Sequence, residues 1–146
     1  MQLKDMPYWW RFVQGGGGSS LTNLIKNSTF DNSDYWVLAG MWAISGGKLV
    51  GNGAFDFAYC SYDDNNTGSP TNTIESGKSY RVTLDVVRNS GSLELRYNTT
   101  LIGDIIVATD SYSFDFTNVS AVNSVFRFFN GNSFDGTIDN VKLYEL

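Results

Sequence analysis

Residues 79–87, "SYRVTLDVV", are the stretch on which the fold reading turns. Tyr80, Val82, Leu84 and Val86 fall on every second position, with Arg81, Thr83 and Asp85 between them. A period of two belongs to a strand with one face in a core and one toward water. The chain then passes through "NSG" (89–91), a turn signal, and resumes the alternation in "SLELRY" (92–97). The spacing predicts a hairpin of these two runs.

The same pattern extends in both directions. "SYSFDFT" (111–117) sets Tyr112, Phe114 and Phe116 on one face. "SVFRFF" (124–129) and "GTIDNVKLYEL" (136–146) close the chain, joined through "NGNSFDG". Upstream, "NLIKNSTF", "WAISGGKLV" and "AFDFAYCSY" read as further strands, and no helical period of any length is present. Eight or more short strands across residues 21–146 predict an all-β domain, a two-sheet sandwich of jelly-roll type.

Ahead of this domain, residues 1–14 form an arm and 15–20, "GGGGSS", a flexible linker with a reach of roughly 13 Å. The arm holds Tyr8, Trp9, Trp10, Arg11 and Phe12. So much aromatic surface invites aggregation in water, and Trp, Tyr and Arg dominate interface hot spots. The arm therefore reads as an anchor peptide for another protein or a neighbouring copy. Two other readings compete: the arm packs on its own sheet, or the Gly/Ser run is a laboratory linker carrying an engineered tag.

Composition narrows the function. The formal charge of the 146-residue chain is −5, and the arm carries a net +1, leaving −6 on the remainder. That balance argues against nucleic acid, whose phosphates call for a basic surface. No apolar run is long enough to span a membrane and no secretory signal is visible. The four N-x-S/T triplets, at Asn27, Asn65, Asn98 and Asn118, therefore read as chance. The single cysteine, Cys60, excludes an intrachain disulfide and reads as a buried thiol. With no histidine in the chain, the usual general base and the commonest metal ligand are missing. The one adjacent carboxylate pair, Asp63-Asp64, lies in an Asn- and Gly-rich loop, and the glycine run lacks the Lys and Ser/Thr of a phosphate loop. The chain reads as a binding protein, not an enzyme.

Taken in order, "NLIKNSTFDNSDYW", "WAISGGKLVGNG", "ESGKSYRVTLDVV" and "FDGTIDNVKLYEL" resemble the carbohydrate-binding-module-like jelly rolls of glycoside hydrolases. They look most like the versions that recur in bacteriophage tail and virion proteins. The resemblance covers residues 23–146 and leaves the arm outside. It implies a non-enzymatic virion protein: a decoration, fibre or tail-appendage subunit on the particle surface. The arm would hold it to other virion proteins, and the jelly roll would face host glycans; such appendages are often trimers, but the chain shows no coiled-coil heptads, so the resemblance leaves a trimer as one open assembly. The alternative is a free-standing carbohydrate-binding module that grips a polysaccharide through loop aromatics.

In related modules an acidic residue after the first strand and an Asp in the last share a structural calcium. Asp31 and Asp139 match those places, although Asp stands where the family often has Glu. The competing reading has Asp31 capping a turn and Asp139 bonding a backbone amide. The family stacks aromatic rings on sugars, but it also carries core tryptophans near Trp36 and Trp42, so both read as core. Tyr59, Tyr62, Tyr97 and Phe134 lie in or beside loops and are the candidate platforms. In the long polar loop 62–77, Asp63 and Asn65, with Asp64 and Asn66, either hydrogen-bond sugar hydroxyls or are simply solvated.

Overall fold

The computed structural model describes residues 20–54 and 57–146. The arm residues Tyr8, Trp9, Trp10, Arg11 and Phe12 lie outside them, and so does nearly all of the linker. Eight strands run through the described residues. They are β1 (Trp36–Leu38), β2 (Trp42–Ser45), β3 (Lys48–Asn52), β4 (Tyr59–Tyr62), β5 (Ser79–Tyr97), β6 (Thr100–Ile106), β7 (Asp110–Thr117) and β8 (Phe126–Glu145). The described residues contain no helix.

Two long strands organise the rest. β5 and β8 pair antiparallel almost end to end, from Tyr80 opposite Glu145 to Tyr97 opposite Phe126. This ribbon bends in its middle and serves both layers of the sandwich. In the first layer the order is β7-β5-β8-β3-β2, through the early half of β5 and the late half of β8. In the second layer the order is β6-β5-β8-β4-β1, through the opposite halves.

The bend corrects the hairpin expectation. "NSG" does not reverse the chain; β5 continues through it, and β8 likewise continues through "NGNSFDG". Register shifts cluster between Arg88 and Leu93, where extra residues make bulges that coil the ribbon. The core-facing residues of β5 are even-numbered up to Val86 and odd-numbered from Leu93 to Tyr97. Only that switch lets both halves face one core. Gly91 makes the bend feasible. Its φ is +72°, and a Cβ there would run into the backbone carbonyls of Asn132 and Ser133.

The upstream strands also differ from expectation. "WAISGGKLV" is the β2–β3 hairpin, turning at Gly46-Gly47. Residues 23–30 are not a strand, yet they run beside the last one: Leu24 N–H donates to Leu143 O at 2.8 Å and Val141 N–H to Ser28 O at 3.0 Å.

One apolar cluster fills the space between the layers, and in it Phe126, Phe128, Phe134, Leu49, Leu95 and Ile138 are fully buried. Each such side chain contributes about 1.5–3 kcal/mol by leaving water. Trp36 and Trp42 belong to this core, as their sequence positions imply. Their indole N–H groups donate to Asn27 O and Ala58 O, each at 3.2 Å, which removes the cost of burying them.

Candidate functional site

Four of the six glycan-binding candidates are built into the structure and present no free surface. The Tyr62 ring is fully buried. Its hydroxyl accepts from Lys26 N–H at 2.9 Å and donates to Leu24 O at 3.1 Å, tying residues 24–26 to β4. Burial raises its pKa. Tyr97 is buried with its ring stacked on Phe116, centroids 5.7 Å apart. Phe134 is fully buried, stacked on Trp42 at 6.0 Å. These three rings stand on the core side of their strands, which is why none can meet a sugar.

Asp63, at 1% exposure, is the organiser of the loop after β4 rather than a ligand contact. It accepts backbone N–H bonds from Asn65 (3.1 Å), Thr67 (2.6 Å), Gly68 (2.8 Å) and Ser69 (3.2 Å), and the Thr71 hydroxyl at 2.7 Å. Burial pushes its pKa up, but the Thr71 hydroxyl and the backbone donors outweigh it and hold the carboxyl at about 2. Asn65 is exposed on this loop, with its backbone N–H committed to Asp63.

The calcium expectation does not fit the residues present. Asp139 accepts from Lys48 Nζ at 2.8 Å, so an ammonium already neutralises its carboxylate. Asp31 is exposed, and its own N–H donates to Asn27 Oδ1 at 2.9 Å within a tight turn. Among the described residues no group of three or more His, Cys, Asp or Glu side chains comes together to hold a metal. Cys60 is fully buried, and burial alone raises its thiol pKa well above the ordinary value, as suits a packing role.

Tyr59 is the aromatic candidate that the structure places on a surface, and it has company. In β4, Cys60 and Tyr62 face the core, so Tyr59 and Ser61 face out. In β8, Phe126 and Phe128 face in while Arg127 and Phe129 face out; in β5, Leu93, Leu95 and Tyr97 face in while Glu94 and Arg96 face out. Register brings these together: Tyr59 opposes Phe129, Glu94 opposes Phe129 on the other side, and Arg96 opposes Arg127. Phe57, just before β4, adds a ring.

The result is a slab of alternating rings and cations on the outer face of the second layer. Phe57 stacks on Phe129 with centroids 6.3 Å apart and planes 20° apart, and Tyr59 lies 4.8 Å from Phe129. The Arg96 guanidinium sits 4.3 Å from the Phe129 centroid, and that of Arg127 sits 4.9 Å from the Tyr59 centroid. Both are within cation–π range. Phe129 is thereby covered by its neighbours, whereas Phe57 is 64% exposed and Tyr59 half-buried. Arg96 is fixed by Glu94 (Nε to Oε2, 2.8 Å) and by donation to Thr99 O at 3.2 Å. A Cβ at residue 131 would stand 2.5 Å from Glu94 Oε1, so Gly131 gives that carboxylate its room.

A second groove, of about 510 Å³, lies on the outer face of the first layer, between Asp85, Ser111, Tyr112, Asn140 and Lys142. Its polar groups are spent on one another: Asp85 accepts from Ser111 Oγ at 2.6 Å and from Asn140 Nδ2 at 2.7 Å. Those bonds lower the Asp85 pKa. Tyr112 is the one ring among the residues lining this groove, whereas the slab gathers Phe57, Tyr59 and Phe129.

Sequence reading found Tyr59 and missed Phe57, Phe129, Arg96, Arg127 and Glu94. The alternations "FRFF" and "ELR" hold the signal, because they put Arg and Phe on the faces opposite the apolar ones. The juxtaposition itself depends on which strands are neighbours.

No protein-family model matches the chain, and no curated protein does. Solved structures do match. A mutant of a family 29 carbohydrate-binding module superposes with a TM-score of 0.55 at 16% identity, covering 86% of this chain and 91% of that one. A second family 29 mutant, complexed with cellulohexaose, gives 0.51 at 15% identity over 86% and 90%. The CBM22-1 and GH10 modules of a Clostridium thermocellum endo-1,4-beta-D-xylanase, complexed with xylohexaose, give 0.54 at 15% identity over 86% of this chain and 29% of that one. The likeness is one of fold: the chain has the jelly-roll sandwich seen in carbohydrate-binding modules.

Proposed function

We propose that this chain is a non-catalytic carbohydrate-binding module whose ligand lies across the outer face of the second layer. The observation that carries the reading is the slab: exposed Phe57 and half-buried Tyr59 braced from behind by Phe129, with Arg96, Arg127 and Glu94 interleaved. Flat rings accept the apolar face of a sugar, and fixed guanidinium and carboxylate groups hydrogen-bond its hydroxyls. Bracing lowers the ordering cost on binding. The fold shared with carbohydrate-binding modules supports the same reading.

The resolved shifts on Asp63, Asp85 and Asp115 are all downward, which keeps these groups charged and unsuited to donate a proton as a general acid.

Placement on a phage particle, with the arm as anchor and a trimer as the assembly, comes from the sequence resemblance alone. The structural matches support the glycan-binding half of that expectation and not the virion half. Comparing full-length protein with residues 21–146 for incorporation into particles tests the virion half separately.

Calorimetric titration with a panel of soluble plant and bacterial polysaccharides tests the glycan reading. Phe57→Ala and Tyr59→Ala are each expected to weaken binding by about tenfold or more, equal to about 1.4 kcal/mol, with the fold intact by circular dichroism. Binding that both variants retain at full strength overturns the placement of the site.

A further inference from the structure

The charges on the slab point to the kind of sugar it takes, an inference that rests on the glycan-binding reading above. Arg96 and Arg127 are direct register partners on β5 and β8, so two guanidinium groups stand side by side on one face. Like charges directly opposite each other are unfavourable. Arg96 is neutralised by Glu94. Arg127 forms no ion pair among the described residues, and its buried Nε has no hydrogen-bond acceptor. Among the described residues of the slab, two cations stand against one carboxylate, in a chain whose formal charge is −5. An anion brought to this unpaired guanidinium gains a charge-assisted bond.

We propose that the module selects an acidic glycan: a polysaccharide containing uronic acid, whose ring stacks on Phe57 and Tyr59 while its carboxylate meets Arg127. The planar guanidinium suits a planar carboxylate, and the Tyr59 ring 4.9 Å from it holds its orientation. Arg96, already held by Glu94 and the Thr99 carbonyl, contributes field rather than a free fork.

The test uses the full chain. Binding of oligogalacturonate is measured by calorimetry beside its methyl ester, neutral cello- and xylo-oligosaccharides, and a sulfated oligosaccharide, at low and high salt. The acid is expected to bind at least about tenfold more tightly than its ester, with the gap closing as salt screens the charges. Arg127→Gln should abolish the preference, weakening binding of the acid by about tenfold more than binding of the ester, so that the two become equal. Arg127→Lys, which keeps the charge and loses the fork, should fall between, and it guards against misfolding of the glutamine variant.

Equal affinity for acid and ester, still lost in Phe57→Ala, overturns the acidic preference and leaves the glycan reading standing. A stronger preference for the sulfated sugar overturns the carboxylate assignment. Failure of every glycan to bind overturns both readings together.

Discussion

Replacing Asp63 by asparagine should untie the loop that connects β4 to β5. The Asp63 carboxylate is buried and receives four backbone N–H groups and the Thr71 hydroxyl. These donors hold its pKa at about 2, against an ordinary value of 3.8. One pKa unit corresponds to 1.36 kcal/mol, so the folded state gains about 2.5 kcal/mol from this carboxylate at neutral pH. Because the folded pKa is depressed, the stabilisation is complete above about pH 4 and is lost as pH falls through about 2. An asparagine offers one acceptor oxygen and turns an N–H₂ toward donors, leaving part of the set unsatisfied. Urea denaturation at pH 7 is expected to show Asp63→Asn less stable by about 2–3 kcal/mol, with the difference shrinking toward pH 2. The neighbouring Asp64 pairs with Lys26 at 3.2 Å while partly exposed, so Asp64→Asn should cost about 1 kcal/mol or less. Equal losses for the two variants, or a loss at Asp63 that does not vary with pH, would refute the reasoning.

Three further outcomes follow from the packing. Tyr62→Ala should destabilise the fold by about 3–5 kcal/mol in chemical denaturation; loss of glycan affinity with unchanged stability would contradict its burial. Gly91→Ala should lower stability by about 2 kcal/mol or more, because φ +72° and the Ser133 carbonyl both oppose a side chain, and a neutral result in a thermal melt would count against the bend. The melting temperature should be the same with calcium and with chelator, since Lys48 holds Asp139; a rise on adding calcium would overturn that assignment.

The strand content was legible along the chain because a half-buried strand writes its period of two into local composition, as "SYRVTLDVV" does. Core tryptophans and an inert cysteine were legible for a similar reason: large apolar groups amid alternating runs have few other places to go. The N-terminal segment "NLIKNSTF", read as a strand, lies beside the last strand as an extended tie instead.

What local sequence could not decide was the choice of face and the choice of neighbour. Tyr59 and Tyr62 stand three residues apart on one strand, so one must face in and the other out, but the sequence assigns neither. The assignment comes from packing against Phe128 and Trp36 and from the register of β4 on β8. The bend at Gly91 looked like a turn because glycine and asparagine mark turns and bulges alike. Whether such a point reverses a strand or only coils it depends on the long partner more than thirty residues away in sequence. The slab has the same origin. Period-two alternation made its members available, and the antiparallel pairing of β4, β8 and β5 brought Tyr59, Phe129, Arg127, Arg96 and Glu94 onto one surface.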